Sequence, residues 1–195
     1  MRLINDSEIK ETAWIMAENF SDYPLYDVFF ENDEKKTKRI FYFFWYRMYT
    51  RKNFSYVTEE KDLVVSFQRP EDKIRSPIGL LLNPVFLFGF LKNVPFSSIR
   101  LVSEYGKLEK PYLDKYYNPR TDCYAQAVCV LKKSRGNGAV IKVFKELDDG
   151  RPIFCETHTE ENVKLYEYLG AQLCETAKWH GVTHYVMKKR GEYII

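Results

Sequence analysis

The sequence predicts a single α/β domain. Its 195 residues are enough to bury one hydrophobic core and give no reason to expect a second. Two amphipathic helix patterns and two short strand patterns come first, and residues 122–189 then alternate strand and helix before ending in two strands. Such an order is typical of domains in which helices cover a sheet. We therefore take residues 1–195 as one domain.

Two helices are predicted at the N-terminus. Ser7 precedes apolar residues spaced by three and four over 9–20, as in a capped amphipathic helix that Pro24 ends. Asp33 can cap a second helix that continues to about residue 51. An aromatic stripe on that helix is suited to the core and consists of Ile40, Phe41, Phe44, Trp45 and Met48.

The remaining strands and helices are bounded by turn residues. Residues 54–58 and 63–67 predict a hairpin, and the prolines of 70–121 predict short helices broken at each proline. After residue 122, glycines in the 148–150 turn, at Gly170 and at Gly181 separate the patterns. Strands are expected at 123–131, 153–157, 172–179 and 183–188, and helices at 138–147 and 161–168.

Charge and composition exclude several classes of partner. The formal net charge is +3, and the basic cluster at 35–39 lies among acidic and apolar residues, which is typical of a solvated helix face and not of a nucleic-acid site. The longest apolar stretch, 78–91, is interrupted and too short to span a membrane. Four cysteines without C-x-x-C spacing and a start unlike a signal peptide indicate a cytoplasmic protein with free thiols.

A glycine-rich turn is the main functional signal. Arg135-Gly136-Asn137-Gly138 joins the strand pattern at 123–131 to the helix pattern at 139–147. A strand that turns directly into a helix presents unpaired N–H groups and the positive end of the helix dipole to one point, which favours phosphate. The loop lacks the lysine of a nucleotide-triphosphate P-loop. A dinucleotide fingerprint is disfavoured because Ile141 occupies its third glycine position.

Two motifs in order resemble one family. Val128-Cys129-Val130 leads into the glycine turn, and the segments Pro-Ile-Phe-Cys-Glu-Thr at 152–157 and Glu-Asn-Val-Lys-Leu-Tyr-Glu-Tyr-Leu-Gly-Ala at 161–171 follow. Together, over about 122–189, they resemble the GNAT family of acyl-CoA-dependent N-acetyltransferases. The resemblance implies a mixed, mostly antiparallel twisted sheet that splits near its middle and is flanked by helices. It also implies that 70–121 is a helical apolar insertion between strands 3 and 4, near the acceptor site.

The resemblance also implies a site for acetyl-CoA in residues 122–189. Arg135 and Gly138 match two fixed positions of the pyrophosphate loop, [RQ]-x-x-G-x-[GA], whereas Val140 stands where glycine or alanine is usual and leaves less room. Arg135 would contact phosphate or hold the loop from outside. Cys129 is expected to contribute main chain to the pantetheine, with a core thiol and not a nucleophile. The implied cofactor-binding residues are Val128, Cys129, Val130, Arg135, Gly136, Asn137, Gly138, Ala139, Val140 and Asn162.

The catalytic residues are also implied by the resemblance. Asn162 and Tyr166 lie four residues apart, on one helix face, and Tyr166 matches the tyrosine that protonates the CoA thiolate. Glu156, at a strand end, is the first candidate for the base that deprotonates the amine, with Glu104 and Glu109 as alternatives. We expect His158 to be a loop histidine without a role. No spacing suits a metal.

The resulting hypothesis is direct transfer of an acetyl group from acetyl-CoA to a small-molecule or peptide amine. Aromatic side chains of 70–121 either extend the core or form an apolar acceptor pocket; these are Phe86, Phe88, Phe90, Phe96, Tyr105, Tyr112, Tyr116 and Tyr117. Two alternatives stay open. One is an acyl-CoA-binding module of the same fold without turnover, and the other is a protein-interaction module, with homodimerisation through the apolar insertion.

Overall fold

The fold is built on one mixed sheet. The computed structural model describes residues 1–31, 33–44, 54–72, 88, 92 and 94–191. Its strands are β1 (Arg2–Leu3), β2 (Ser55–Val57), β3 (Leu63–Gln68), β4 (Cys123–Val130), β5 (Ile153–Thr157), β6 (Ala171–Trp179) and β7 (Val182–Lys189). Their order across the sheet is β1-β2-β3-β4-β5-β7-β6. All neighbours are antiparallel except β4 and β5, so the predicted mixed, mostly antiparallel sheet is confirmed.

Helices cover both faces of this sheet. They are α1 (Ile9–Phe20), α2 (Pro24–Phe30), α3 (Glu34–Phe44), α4 (Phe96–Tyr116), α5 (Ala139–Leu147) and α6 (Glu160–Tyr168). Because side chains alternate along a strand, β3 sends Val64 to a core shared with α1 to α4 and Val65 to a second core with α5 and α6. The α/β class predicted from the sequence is thus confirmed.

The N-terminal helices differ in detail from the prediction. The cap is Asn5 and not Ser7, because Asn5 accepts from the Ser7 N–H at 3.1 Å while Glu8 reaches back to the Asn5 N–H, ahead of a short 3-10 turn (Asp6–Glu8). Pro24 begins α2 rather than only ending α1, since proline is well suited to the first helical position. Asp33 caps α3 as predicted, accepting from the Lys36 N–H at 2.9 Å.

The segment between β3 and β4 contains a long helix. The prediction of short helices broken at each proline is wrong for α4, which runs 21 residues with Pro111 inside it. The carbonyl group that loses its partner at Pro111 belongs to the exposed residue Lys107, where water can reach it. Ser98 anchors the helix by donating to the Phe29 carbonyl at 2.7 Å. Phe86 and Phe90, for which a role in the core or in an acceptor pocket was predicted, lie outside the described residues. So do Trp45 and Met48 of the predicted aromatic stripe.

The C-terminal half follows the predicted order of elements. β5 spans the predicted residues, and His180 and Gly181 both have positive φ, as a two-residue hairpin turn requires. In the described part of the chain, no helix has the length and apolar character needed to cross a membrane.

The sheet splits between β4 and β5. These parallel strands pair only over Cys123, Tyr124 and Ala125 of β4. At the next residue, Gln126, β4 carries a bulge, because Ala127 and Ala125 face consecutive β3 residues, Ser66 and Phe67. A bulge bends its strand, and here it coincides with the point at which the two strands separate. The split implied by the family resemblance is therefore present.

Candidate active site

A large cleft opens where β4 leaves β5. It has a volume of about 1260 Å³. The cleft brings together most of the residues that the sequence implicated in cofactor binding and catalysis, although they come from four different elements. The implicated residues that line it are Val128, Val130, Arg135, Gly136, Gly138, Ala139, Val140, Glu156, Asn162 and Tyr166. Asn137 is exposed and does not line it, and neither does Cys129.

The glycine loop presents main-chain donors to this cleft. Gly136 and Gly138 have φ values of 83° and 70°, a region that glycine enters without strain. Gly138 is the N-cap of α5, so the first N–H groups of that helix have no intrahelical acceptor. Among the described residues, no backbone carbonyl accepts from the N–H groups between Gly136 and Val140. The loop can therefore hold an anion with its main chain.

Arg135 is bound to the protein rather than free at the loop surface. Its Nε donates to the Val130 carbonyl at 3.3 Å, and an Nη donates to Oδ1 of Asn19, on α1, at 3.0 Å. Of the two roles considered for Arg135, this geometry fits the one that holds the loop from outside. Val140 is half-buried against the core beneath α5 and also lines the cleft, so its side chain occupies space beside the helix start.

β4 contributes backbone on one side of the cleft. Past Ala125 its edge facing β5 has no strand partner among the described residues. The Cys129 side chain is fully buried in the other direction, in the core with α1 and α2. Burial raises the pKa of the Cys129 thiol far above its usual value, so the thiol stays protonated, as expected for a core residue.

Tyr166 lines the cleft and is buried. Its ring packs on Phe144, 6.0 Å between centroids, and the side chain is almost fully buried. Burial raises the pKa of Tyr166 well above its usual value, which keeps the phenol in its protonated, donating form. One turn earlier on α6, Nδ2 of Asn162 donates to Oγ1 of Thr157 at 3.0 Å.

Glu156 is held by two other side chains. The Tyr124 hydroxyl donates to its Oε2 at 2.6 Å, and Nε2 of His184 lies 3.1 Å from its Oε1. Although His184 Nε2 and Glu156 Oε1 are close, their alignment is too poor for a hydrogen bond, and each of these buried atoms is without a hydrogen-bond partner in the described structure. Glu109, on α4, adjoins Glu156, and burial followed by the charge of Glu156 raises the pKa of Glu109 to about 8.

A chain of hydrogen bonds runs from His184 to the start of α2. The Tyr105 hydroxyl lies 2.7 Å from both His184 Nδ1 and His158 Nε2. On its other side, His158 Nδ1 lies 3.3 Å from the Tyr23 hydroxyl, which also accepts from the His158 N–H at 2.9 Å and lies 3.1 Å from Thr157 Oγ1. His158, expected to be a loop residue without a role, is thus the centre of a buried network.

Burial keeps this network neutral at its centre. It lowers the pKa of His158 to about 3, with a further contribution from His184. Glu104, an alternative base candidate, is outside the cleft and pairs with Arg100 at 2.9 Å. No group of three or more potential metal ligands occurs in the part of the chain that the structure describes.

Sequence reasoning missed Tyr23, Tyr124 and His184, and it named Tyr105 only as an aromatic residue of the core or of an acceptor pocket. These residues are far from Glu156 in sequence, and none belongs to a motif. The only sequence signal for Tyr105 and Glu109 is their spacing on one face of α4, together with Val102 and Leu113, which also line the cleft. That spacing could not be recognised while the segment was interpreted as short broken helices.

Comparison with known proteins shows the fold. No family model matches the sequence, and no curated protein sequence matches it. Among solved structures, the chain is similar to a histone acetyltransferase HPA2 and related acetyltransferase from Corynebacterium glutamicum, at 15% identity over 98% of this chain and 95% of that chain, with a TM-score of 0.59.

Two further structures agree. Arylalkylamine N-acetyltransferase 2 from Aedes aegypti is 12% identical over 97% of both chains, with a TM-score of 0.59. An N-acetyltransferase from Staphylococcus aureus Mu50 is 14% identical over 96% of this chain and 98% of that chain, with a TM-score of 0.56. The chain therefore has the GNAT-type acetyltransferase fold along almost its entire length, and the resemblance seen in the sequence is confirmed at the level of the fold.

Proposed function

We propose that the protein is an N-acetyltransferase that transfers the acetyl group of acetyl-CoA directly to an amine. The observation that carries the proposal is the cleft at the β4–β5 split. It joins an anion-binding glycine loop, an unpaired strand edge, a buried tyrosine and a buried carboxylate in one space.

Each part of the cleft suits one part of the cofactor. The N–H groups that follow Gly136 suit the pyrophosphate of CoA. The free edge of β4 suits the pantetheine arm, whose amides can bond to it as an added strand would. Asn162, already bonded to Thr157, can contact the same arm. Val140 lines the cleft beside the helix start and leaves less room there than glycine or alanine would.

The proposed reaction uses Glu156 as proton acceptor and Tyr166 as proton donor. Glu156 takes a proton from the acceptor ammonium, and the freed nitrogen lone pair attacks the carbonyl carbon of the thioester. The C–S bond then breaks, its electron pair goes to sulfur, and Tyr166 gives its proton to that sulfur. The nitrogen, now bonded to the acetyl carbon, gives its second proton to solvent and becomes the amide. Solvent restores the proton to Tyr166 and removes one from Glu156. Holding both substrates in one cleft supplies much of the rate.

Free thiols are consistent with the cytoplasmic location expected from the sequence. The cysteines Cys123, Cys129, Cys155 and Cys174 are unpaired. We propose a reducing compartment for this enzyme.

Calorimetric titration with acetyl-CoA, followed by thiol release and mass spectrometry of a panel of amines, tests the proposal. Saturable binding together with acetylated amine is expected. Binding without thiol release for any amine would favour an acyl-CoA-binding module instead. Absence of binding would exclude both functions and leave the protein-interaction alternative.

A further inference from the structure

Two carboxyl groups from distant parts of the chain meet in the cleft. Glu109 is on α4, Glu156 is on β5, and both line the same space. The two side chains are within hydrogen-bonding reach of each other, and the Glu156 side chain is only 8% exposed. Two carboxylates so placed cannot both ionise easily unless a cation joins them.

The described part of the chain supplies no lysine or arginine to this pair of carboxyl groups. Arg135 is the only lysine or arginine that lines the cleft in the described part of the chain, and Val130 and Asn19 engage its guanidinium. No lysine or arginine of the described residues forms an ion pair with Glu109 or Glu156, and the basic side chain beside Glu156 is that of His184, with Nε2 3.1 Å from Oε1. Oε1 of Glu156 is buried without a hydrogen-bond partner in the described structure. A buried acceptor is costly unless a donor reaches it; the protonated Glu109 is one donor within reach of Glu156, and the ammonium group of a ligand could take its place.

The surface beside the pair is apolar. Glu109 is the only charged residue that α2 and α4 contribute to the cleft among the described residues. The others are aromatic, aliphatic or small: Pro24, Leu25, Tyr26, Phe29, Phe30, Val102, Tyr105, Gly106 and Leu113. A ligand with a second cationic group would find no acid other than Glu109 among the described residues of this wall.

Gly106 leaves an opening in this wall. It lies one turn before Glu109 on α4, and a Cβ placed there would meet no atom within 4 Å. Its backbone is helical, so any residue can adopt it without strain. A larger side chain at Gly106 would therefore fill space in the cleft beside Glu109 and leave the helix intact.

From this geometry we infer that Glu109 and Glu156 together bind the ammonium group of the acceptor, and that the acceptor is a primary amine on an apolar or aromatic body. The inference rests on the proposed function, because it identifies the second substrate of that reaction. The ammonium donates to both carboxylates, and its body lies against Tyr26, Phe29 and Val102. Because Glu109 becomes ionised on binding, it releases its proton to solvent near neutral pH.

Direct binding measurements test this site without requiring turnover. The protein is saturated with CoA, which carries no acetyl group, and titrated with phenylethylamine, with phenylethanol as its uncharged counterpart, and with spermidine as a polyamine. We expect phenylethylamine to bind about 10-fold or more tightly than either of the others. We also expect proton release, detected by repeating the titration in buffers of different ionisation enthalpy.

Two variants and a control assign the effect to the pair. Glu109→Gln is expected to weaken the binding of phenylethylamine about 10-fold or more. Gly106→Leu is expected to weaken the same binding by steric exclusion, and the affinity for CoA should be unchanged in both variants. Glu104→Gln, on the exposed face of the same helix, should change neither affinity. Unchanged phenylethylamine affinity in Glu109→Gln, a preference for spermidine, or no binding of phenylethylamine would overturn the inference.

The outcomes separate this inference from the proposed function. If phenylethylamine binds through Glu109 but is never acetylated, the proposed transferase function is contradicted and the inferred amine site is retained. If Glu109→Gln does not affect acetyl transfer, the proposed transferase function is retained and the inferred amine site is contradicted.

Discussion

Tyr105 and His184 are joined by a 2.7 Å contact between the tyrosine hydroxyl and Nδ1 of the imidazole, although 79 residues separate them in sequence. The contact connects α4 to β7, the last strand in sequence. Because the same hydroxyl also meets His158, one atom holds together the helix between β3 and β4, the end of β5 and β7. The position of α4 over the cleft is therefore set by polar contacts as well as by apolar packing.

Removing this hydroxyl should destabilise the protein. We expect Tyr105→Phe to lower the free energy of unfolding by about 1 to 3 kcal/mol, because two buried ring nitrogens lose a partner. Tyr112→Phe is the matched control, since Tyr112 is on the same helix and its ring also contacts His184, 5.8 Å between centroids. Urea denaturation of both variants measures the difference. Equal unfolding free energies would show that the hydroxyl contributes nothing.

Tyr166→Phe should slow the reaction without weakening the binding of acetyl-CoA. The loss of the proton donor is expected to lower kcat about 100-fold, within the usual range for general acid catalysis. The Kd for acetyl-CoA should stay within about twofold, because the phenyl ring still packs on Phe144. Stopped assays of thiol release give kcat, and calorimetry gives the Kd. An unchanged kcat would refute the assigned role.

Gly138→Ala should weaken CoA binding through the backbone. Alanine at a φ of 70° is strained by about 1 to 2 kcal/mol, and relief of that strain moves the N–H groups at the start of α5. Gly150→Ala carries a similar strain, at a φ of 85°, in a turn outside the cleft. Both variants should lose similar stability in thermal melts. Only Gly138→Ala should bind CoA less tightly, by about 5-fold or more; equal CoA affinities would contradict the loop's role.

The stability of the fold should depend on pH through Glu109. Its pKa is raised from 4.5 to about 8, so between these values the folded state holds a proton that the unfolded state has lost. The free energy of unfolding therefore falls as pH rises through this range. Glu109→Gln removes this contribution, and its advantage over the original protein should grow from about pH 5 to about pH 9. A constant difference across urea titrations would contradict the raised pKa.

His158 contributes in the opposite direction. Its pKa is lowered from 6.5 to about 3, so the unfolded state binds a proton that the folded state does not. This contribution to stability is present above about pH 6.5 and is lost as pH falls towards about 3. His158 and Glu109 thus affect stability at different ends of the pH range, and only the alkaline loss should disappear in Glu109→Gln.

The sequence predicted the part of the fold that local patterns encode. From β4 onwards, alternating strands and glycines at turns such as Gly170 fix each element within one or two residues. Asn162 and Tyr166 could be paired because they lie one turn apart on α6. Pro24 and Pro111 were misjudged for one reason: a proline can begin a helix or be tolerated within an exposed one, and only the surrounding packing decides.

The polar network could not be predicted in the same way. Tyr23 meets His158 across 135 residues, and Tyr105 meets it across 53. No periodicity or spacing records such contacts, since they arise only when α2 and α4 settle on the sheet. Glu109 was one of three candidate bases in the sequence, and its neighbour Glu156 distinguishes it from Glu104 only in three dimensions.

The split between β4 and β5 also bears on how the protein avoids aggregation. An unpaired strand edge is a template on which another chain can add a strand, and proteins usually protect such edges at the border of a sheet. Here the free edge of β4 lies in the interior of the sheet order, with β5, β7 and β6 beyond it. A narrow ligand arm can enter that space, whereas the strand of a second folded protein would have to pass between two strands of the same sheet.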